Sequence, residues 1–169
     1  MGYVNMTDIS QFISPLEITK ILGTWTPTIS SNIISDVRTA AAADTTLLIP
    51  AVLPGSSIAL QGAKLESFDV WYRIATAEPT GFTVALNRVN LNAHAAAVTG
   101  TNITAISFDT NHDTPAKRYA EAHHRMTVSL DTPVFINHIH AYWLSCVISC
   151  HTNTVLTLFG ARANYTLRL

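Results

Sequence analysis

From about residue 28 onward, apolar and polar residues alternate with a period of two. That repeat belongs to strands with one face on a core, and it restricts the fold to a mainly β architecture. Between residues 65 and 76, Phe68, Val70, Tyr72 and Ile74 take one face and Ser67, Asp69 and Arg73 the other, with Trp71 the apolar exception on the polar side. Residues 81–90 repeat the rule, with Phe82, Val84 and Leu86 set against Thr83, Ala85 and Asn87. The break between these runs, Glu78-Pro79-Thr80-Gly81, has hairpin chemistry, so the two are expected to pair as antiparallel neighbours. Met126, Val128 and Leu130 alternate with Thr127 and Ser129, and this strand is expected to end in a turn at Asp131-Thr132-Pro133 before a short run over 134–136. Near the C-terminus Leu156 and Leu158 occupy even positions, whereas Ala163, Tyr165, Leu167 and Leu169 occupy odd ones. Gly160 lies at this slip of parity, which predicts a β-bulge there.

Other stretches depart from clean alternation. Within residues 139–150, Tyr142, Leu144 and Ile148 on one face are matched by Ile139, Trp143 and Val147 on the other, so both faces call for burial. Ile29, Ser31, Ile33, Ser35 and Val37 alternate only loosely, and Pro50 with Pro54 confines 47–52 to an edge strand or an extended loop. Residues 91–121 read as an irregular connection. Residues 1–26 scatter Ile9, Phe12, Ile13, Leu16, Ile18, Ile21 and Leu22 around Pro15. Such a segment is too apolar for a disordered tail and is expected to be an arm that folds against a neighbour, with room for a short helix within 7–13. The expected organisation is an all-β, antiparallel β-sandwich over residues 27–169 with an extended N-terminal arm over 1–26.

Composition adds a constraint on partners. The chain of 169 residues is 48% apolar and 12% charged, against about 25% charged in ordinary soluble domains. The longest apolar stretch, 142–150, is far below the roughly 18 residues of a membrane span, and the start has no basic region leading into an apolar one. The apolar excess is therefore expected to be hidden against further copies of the chain, as a homo-oligomer. Ten basic against eleven acidic residues, with no longer run than Lys117-Arg118, argue against nucleic acid or a membrane as partner. Cys146 and Cys150 are four apart in one expected strand, about 13 Å between Cα atoms. A disulfide needs less than about 7 Å, so free, buried thiols are expected.

Motifs for chemistry are incomplete. His138 and His140 would point to the same side of a strand, but no Asp or Glu follows Asp131 to complete a mixed metal site. An all-nitrogen site would need His123 or His124 from another strand; satisfied or interfacial histidines are the preferred reading. Asp109, Asn111 and Asp113 imitate the opening of a calcium loop, yet Thr114 stands where glycine belongs and Ala120 where the bidentate Glu belongs. An EF-hand is excluded, leaving an Asx-rich turn or a weak loop site, of which the turn is preferred. There is no Gly-x-Ser-x-Gly, no recognisable carboxylate pair and no phosphate-cradling loop; Gly55-Ser56-Ser57 reads as a turn. No catalytic, cofactor-binding or metal residue is assigned, and the chain is expected not to be an enzyme. Sequons at Asn5, Asn102 and Asn164 carry no weight without a secretion signal. Trp71 on its polar face suits a sugar-stacking platform or burial under the arm or a partner subunit, of which burial is the preferred reading.

The phrases Leu53-Pro54-Gly55-Ser56-Ser57-Ile58, Gly62-Ala63-Lys64-Leu65, Val70-Trp71-Tyr72-Arg73-Ile74, Ala77 and Val84-Ala85-Leu86, with the closing 158–167, resemble small β-sandwich domains in virion proteins of tailed bacteriophages. These include head decoration, head-fibre and tail-associated proteins, and the likeness covers roughly residues 47–169. It implies a jelly-roll-like subunit, made in the host cytoplasm, that forms homotrimers or larger rings on a virion and contacts other virion proteins through its N-terminal arm. Seven glycines are few for a fibre, which favours a compact capsid decoration or cement protein. A carbohydrate-binding module is the alternative, with Trp71, Tyr119 or the 109–124 loop at its site and a surface glycan as partner.

Overall fold

In chain order the strands are β1 (Met6–Ile13), β2 (Thr19–Ile21), β3 (Trp25–Ser30), β4 (Ile33–Arg38), β5 (Asp44–Pro50), β6 (Lys64–Ala75), β7 (Gly81–Asn90), β8 (Thr99–Ile103) and β9 (Ile106–Phe108). A one-turn helix α1 (Pro115–Tyr119) precedes β10 (His123–Phe135), β11 (His140–Ser149) and β12 (Val155–Arg168). The computed structural model describes residues 6–52, 63–91, 98–103, 105–136 and 140–168. Asn5, Pro54, the Gly55-Ser56-Ser57 turn and His138 lie outside the described residues.

The strands form two antiparallel sheets packed as a sandwich. One sheet has the order β3-β4-β12-β6-β10-β9, with β1 also on β12; the other runs β2-β5-β11-β7-β8. The core between them follows the alternation. Phe68, Val70, Tyr72 and Ile74 of β6, Met126 and Val128 of β10, and Leu156 and Leu158 of β12 are buried against Leu47, Ile49, Leu86, Leu144, Cys146 and Ile148 of the opposite sheet. Cys146 and Cys150 are both buried and unpaired with each other, and burial pushes the Cys146 thiol up to about 12.

The parity slip is a bulge. The β12–β6 register shifts between Leu158 and Gly160, where Gly160 takes φ +130°, and the buried positions change to Ala161, Ala163, Tyr165 and Leu167. Pro50 sits at the end of β5, opposite Trp143 of β11, whereas β2 covers only Thr46–Leu48. β5 is flanked by β2 and β11 and so is not the expected edge strand; Pro50 is tolerated at its end, where β2 has stopped.

Several expectations are corrected. β6 and β7 do not pair: both edges of β6 are taken by β10 and β12, while β7 lies between β11 and β8 in the other sheet. The segment after β6 crosses between sheets, and both the amide and the hydroxyl of Thr80 donate to Ser149 O. Asp131-Thr132-Pro133 does not close β10 but lies within it, at a register shift between Ser129 and Val134. The region within 7–13 is a strand, β1, and the irregular 91–121 contains β8, β9 and α1. Residues 6–21, expected as part of an arm against a neighbour, supply β1 along Ala161–Arg168 and β2 along β5 of their own chain. On β11, Tyr142, Leu144, Cys146 and Ile148 are buried, while Trp143 and Val147 on the outer face are half-buried within the single chain.

The β3–β4 hairpin turns at Ser31 and Asn32, both with positive φ, as a two-residue turn of this hand requires. β4 joins β12 only through Asp36–Arg38, so the far end of the hairpin extends past the sheet. Ile29, Ile33 and Ile34 there are 76%, 54% and 46% exposed, and the loose alternation does not take them into the core. Arg38 is instead fully buried, its guanidinium donating to the carbonyls of Ala41 and Ala43 at 3.2 and 2.8 Å.

Candidate functional site

The outer face of the larger sheet carries Trp71 where the sequence placed it. The cross-strand partner of Trp71 on β10 is Arg125 and on β12 is Gly160. The guanidinium carbons of Arg125 and Arg162 lie 5.6 and 5.0 Å from the indole centre, so the tryptophan packs between two cations. Gly160 has no side chain, and the space a Cβ would take is filled by the Ile13 carbonyl and the Phe12 ring. Asp69, 4% exposed, anchors the floor: it accepts from Thr127 Oγ1 at 2.6 Å and Asn164 Nδ2 at 3.2 Å and lies 3.6 Å from Arg125. His123 stacks on Phe159 at 5.8 Å between centroids. Trp71, His123, Phe159, Arg125 and Arg162, together with Phe12 and Ile33, line an open groove of about 580 Å3 that joins aromatic and cationic side chains.

A second, polar cavity of about 610 Å3 adjoins it, lined by Asp109, Asn111, His112, Lys117, His123 and Arg125 among others. Behind it runs a chain of hydrogen bonds. The Asp109 carboxylate meets His112 Nδ1 at 2.8 and 2.9 Å, His112 Nε2 meets His124 Nδ1 at 3.1 Å, and His124 Nε2 meets Ala120 O at 2.8 Å. His124 stacks on Tyr72 at 4.6 Å, and the Tyr72 hydroxyl donates to Arg118 O at 2.6 Å. Arg118 is buried, sits 4.2 Å over the Phe108 ring and donates to His112 O at 3.0 Å.

Burial raises the Asp109 carboxyl, but the amides of Thr127 and Asn111 and the His112 ring outweigh it and hold the group below the usual carboxylate range. Burial lowers His124, with the neighbouring His112 and His123 acting in the same direction. Burial likewise pushes the Tyr72 phenol up. All four ring nitrogens of His112 and His124 are engaged, so this chain of bonds holds a segment in place rather than presenting a free base.

Other candidates fall apart in space. Asp109 accepts from the Asn111 amide at 3.0 Å, which is the expected Asx turn, while Asp113 pairs with Lys117 at 2.8 Å. His123 and His124 belong to the larger sheet, and His140 starts β11 in the other, against Tyr142. Among the described residues no group of three or more His, Cys, Asp or Glu is placed to hold a metal ion. Tyr119 packs against the core. Among the described residues no helix is long and apolar enough to cross a membrane.

Sequence reading missed α1 and the His112–His124 contact. The helix had a local signal, Thr114 as N-cap followed by Pro115, and the Thr114 side chain does accept from the Lys117 amide. The histidine contact had none, because it joins the segment after β9 to β10 across a gap of twelve residues.

No protein-family model and no curated protein sequence matches the chain. Among solved structures, one from a study of the promiscuous specificity of carbohydrate-binding modules from the β-sandwich superfamily is 7% identical, with TM-score 0.42, over 95% of this chain and 56% of that one. This chain thus spans a little over half the length of that neighbour. TmCBM61 in complex with β-1,4-galactotriose is 8% identical, with TM-score 0.32 over 96% and 88% of the two chains. A structure of Desmodium yellow mottle tymovirus is 9% identical, with TM-score 0.28 over 99% and 89%. At such likeness the strand pairing itself, not the neighbours, establishes that this chain is an antiparallel β-sandwich.

Proposed function

We propose that the chain is a non-enzymatic structural subunit that works by self-association, in keeping with a place on a virion as a decoration or tail-associated protein. The observation that carries the reading is the β3–β4 hairpin, which extends past its sheet with Ile29 and Ile34 paired directly opposite one another and both exposed. A two-stranded hairpin is marginal alone in water, and apolar side chains on its surface are stabilised by a cover. Strand addition is not the means, because Pro27 in the edge strand β3 lacks a donor and blunts that edge. The occupant that fits is the apolar hairpin face of a second copy, packed through its side chains. A trimer is the favoured closed form, with other virion proteins at the remaining surfaces.

Light scattering on a column is expected to give a species of at least two chains for the natural sequence. Ile29→Lys with Ile34→Lys should shift it to monomer while the circular dichroism of the sandwich is retained. A natural chain that stays monomeric up to high concentration would refute the reading.

The groove at Trp71 favours a second reading, a binding site for a surface glycan, since it joins aromatic faces to polar and charged hydrogen-bonding groups. Phe12 is 61% exposed there, and Ile33 links the groove to the apolar hairpin. Trp71→Ala is expected to abolish glycan-array binding if this reading holds, with little effect on the scattering mass. Silence of the natural chain on the array would remove it.

A further inference from the structure

The His112–His124 pair has a proton count fixed by geometry. At one end the Asp109 carboxylate is an acceptor, and at the other the Ala120 carbonyl is an acceptor. His112 Nδ1 and His124 Nε2 must therefore both carry protons. The central contact between His112 Nε2 and His124 Nδ1, at 3.1 Å, needs one proton and has room for one only. Three protons on four nitrogens make one imidazolium and one neutral ring. We infer that this pair is an acid-sensitive latch, closed by a single shared positive charge and opened by a second proton, which would set N–H against N–H inside the sandwich wall.

The surroundings oppose the second charge. From α1 the buried Arg118 guanidinium lies against His112, and Lys117 is paired with Asp113 of the preceding loop. On β10, His123 and Arg125 flank His124, and β6 contributes Tyr72, stacked on His124, with Arg73 next along the strand. Phe82 of β7 packs edge-on to Tyr72, and the Cys146 thiol of β11 is neutral. The anions that answer these cations are Asp109, already bonded to His112 and the Thr127 amide, Asp113 at the rim, and Asp69, 3.6 Å from Arg125. The neutral ring is His124, the member that burial disfavours as a cation, and the imidazolium is His112, facing Asp109.

Opening would release the 109–124 segment, because the latch holds the loop after β9 to the start of β10, and the same segment is held through Tyr72 and Arg118. It would also alter both cavities, since His124 borders each. The sign follows from proton counting. A free histidine titrates near 6.5, so well below that pH an opened or unfolded segment holds four ring protons, one more than the three of the closed latch. The opening constant is therefore lowest near pH 6.5 and rises as pH falls below about 6, toward a limit of about tenfold per pH unit, until the closed form itself takes the second proton.

The test is native-state hydrogen exchange at the His112 and Arg118 amides, both hydrogen-bonded in the closed segment, read as opening constants between about pH 6 and 4.5. The natural chain should show a rise that steepens toward about tenfold per unit as pH falls. His124→Gln should be flat, because its amide group can donate to Ala120 O and accept from His112 without a second titration. Ring-nitrogen NMR at pH 7 gives a readout that needs no variant: one imidazolium at His112 and one neutral Nε2–H tautomer at His124. Two neutral rings, two imidazoliums, or equal pH slopes for the natural chain and His124→Gln would overturn the latch.

Discussion

Gly160→Ala is expected to destabilise the sandwich by roughly 2–3 kcal/mol, a large loss for a single methyl group. Two causes add. At φ +130° an L-residue is strained, and an added Cβ would stand 2.8 Å from Ile13 O and 2.8 Å from the Phe12 ring. The carbonyl belongs to the last ladder pair of β1, Ile13 with Ala161, so it cannot shift without loosening that strand. Gly100→Ala is the control, because a Cβ there meets nothing within 4 Å, and its effect should stay within about 0.5 kcal/mol. Urea unfolding of both variants at constant m decides the matter; equal midpoints would show that the bulge does not constrain β1.

Leu144→Ala should cost more, about 3–5 kcal/mol. Leu144 is fully buried at the centre of β11, opposite Ile49 of β5 and Leu86 of β7. Strands hold it on both sides and the other sheet packs above, so the cavity left by truncation has little freedom to collapse. Leu144→Met, which keeps volume, should lose less than about 1.5 kcal/mol. Val147→Ala, on the half-buried outer face of the same strand, should lose no more than about 1 kcal/mol in the single chain. A concentration-dependent loss at Val147 approaching that at Leu144 would mean that another chain covers this face.

The histidine latch and the groove share a wall, and that arrangement joins the two readings of function. A structural subunit whose 109–124 segment loosens in acid would change the surface beside the Trp71 groove while its core stays closed. The core is mainly apolar, and burial pushes its Cys146 thiol and Tyr72 phenol up and away from acid, whereas the latch turns on one proton.

Alternation in β6, β10 and β12 was legible in the sequence because a residue's side of a strand is fixed by the backbone every two positions. For the same reason Gly160 announced its bulge: the pattern changed parity at a residue able to adopt the conformation. The sequence by itself determined which faces of these strands are buried, that Trp71 stands on the outer side, and that the cysteines are free. Only the tertiary structure decided which strands are neighbours, since β6 and β7 share an alternation but lie in different sheets. It also turned β1 and β2 from an expected arm into strands of their own chain, carried the isoleucines of the β3–β4 hairpin outside, and brought His112 to His124. Face is a local property of the backbone, whereas partner is a property of the whole chain, settled by which edges remain free once every other strand has paired.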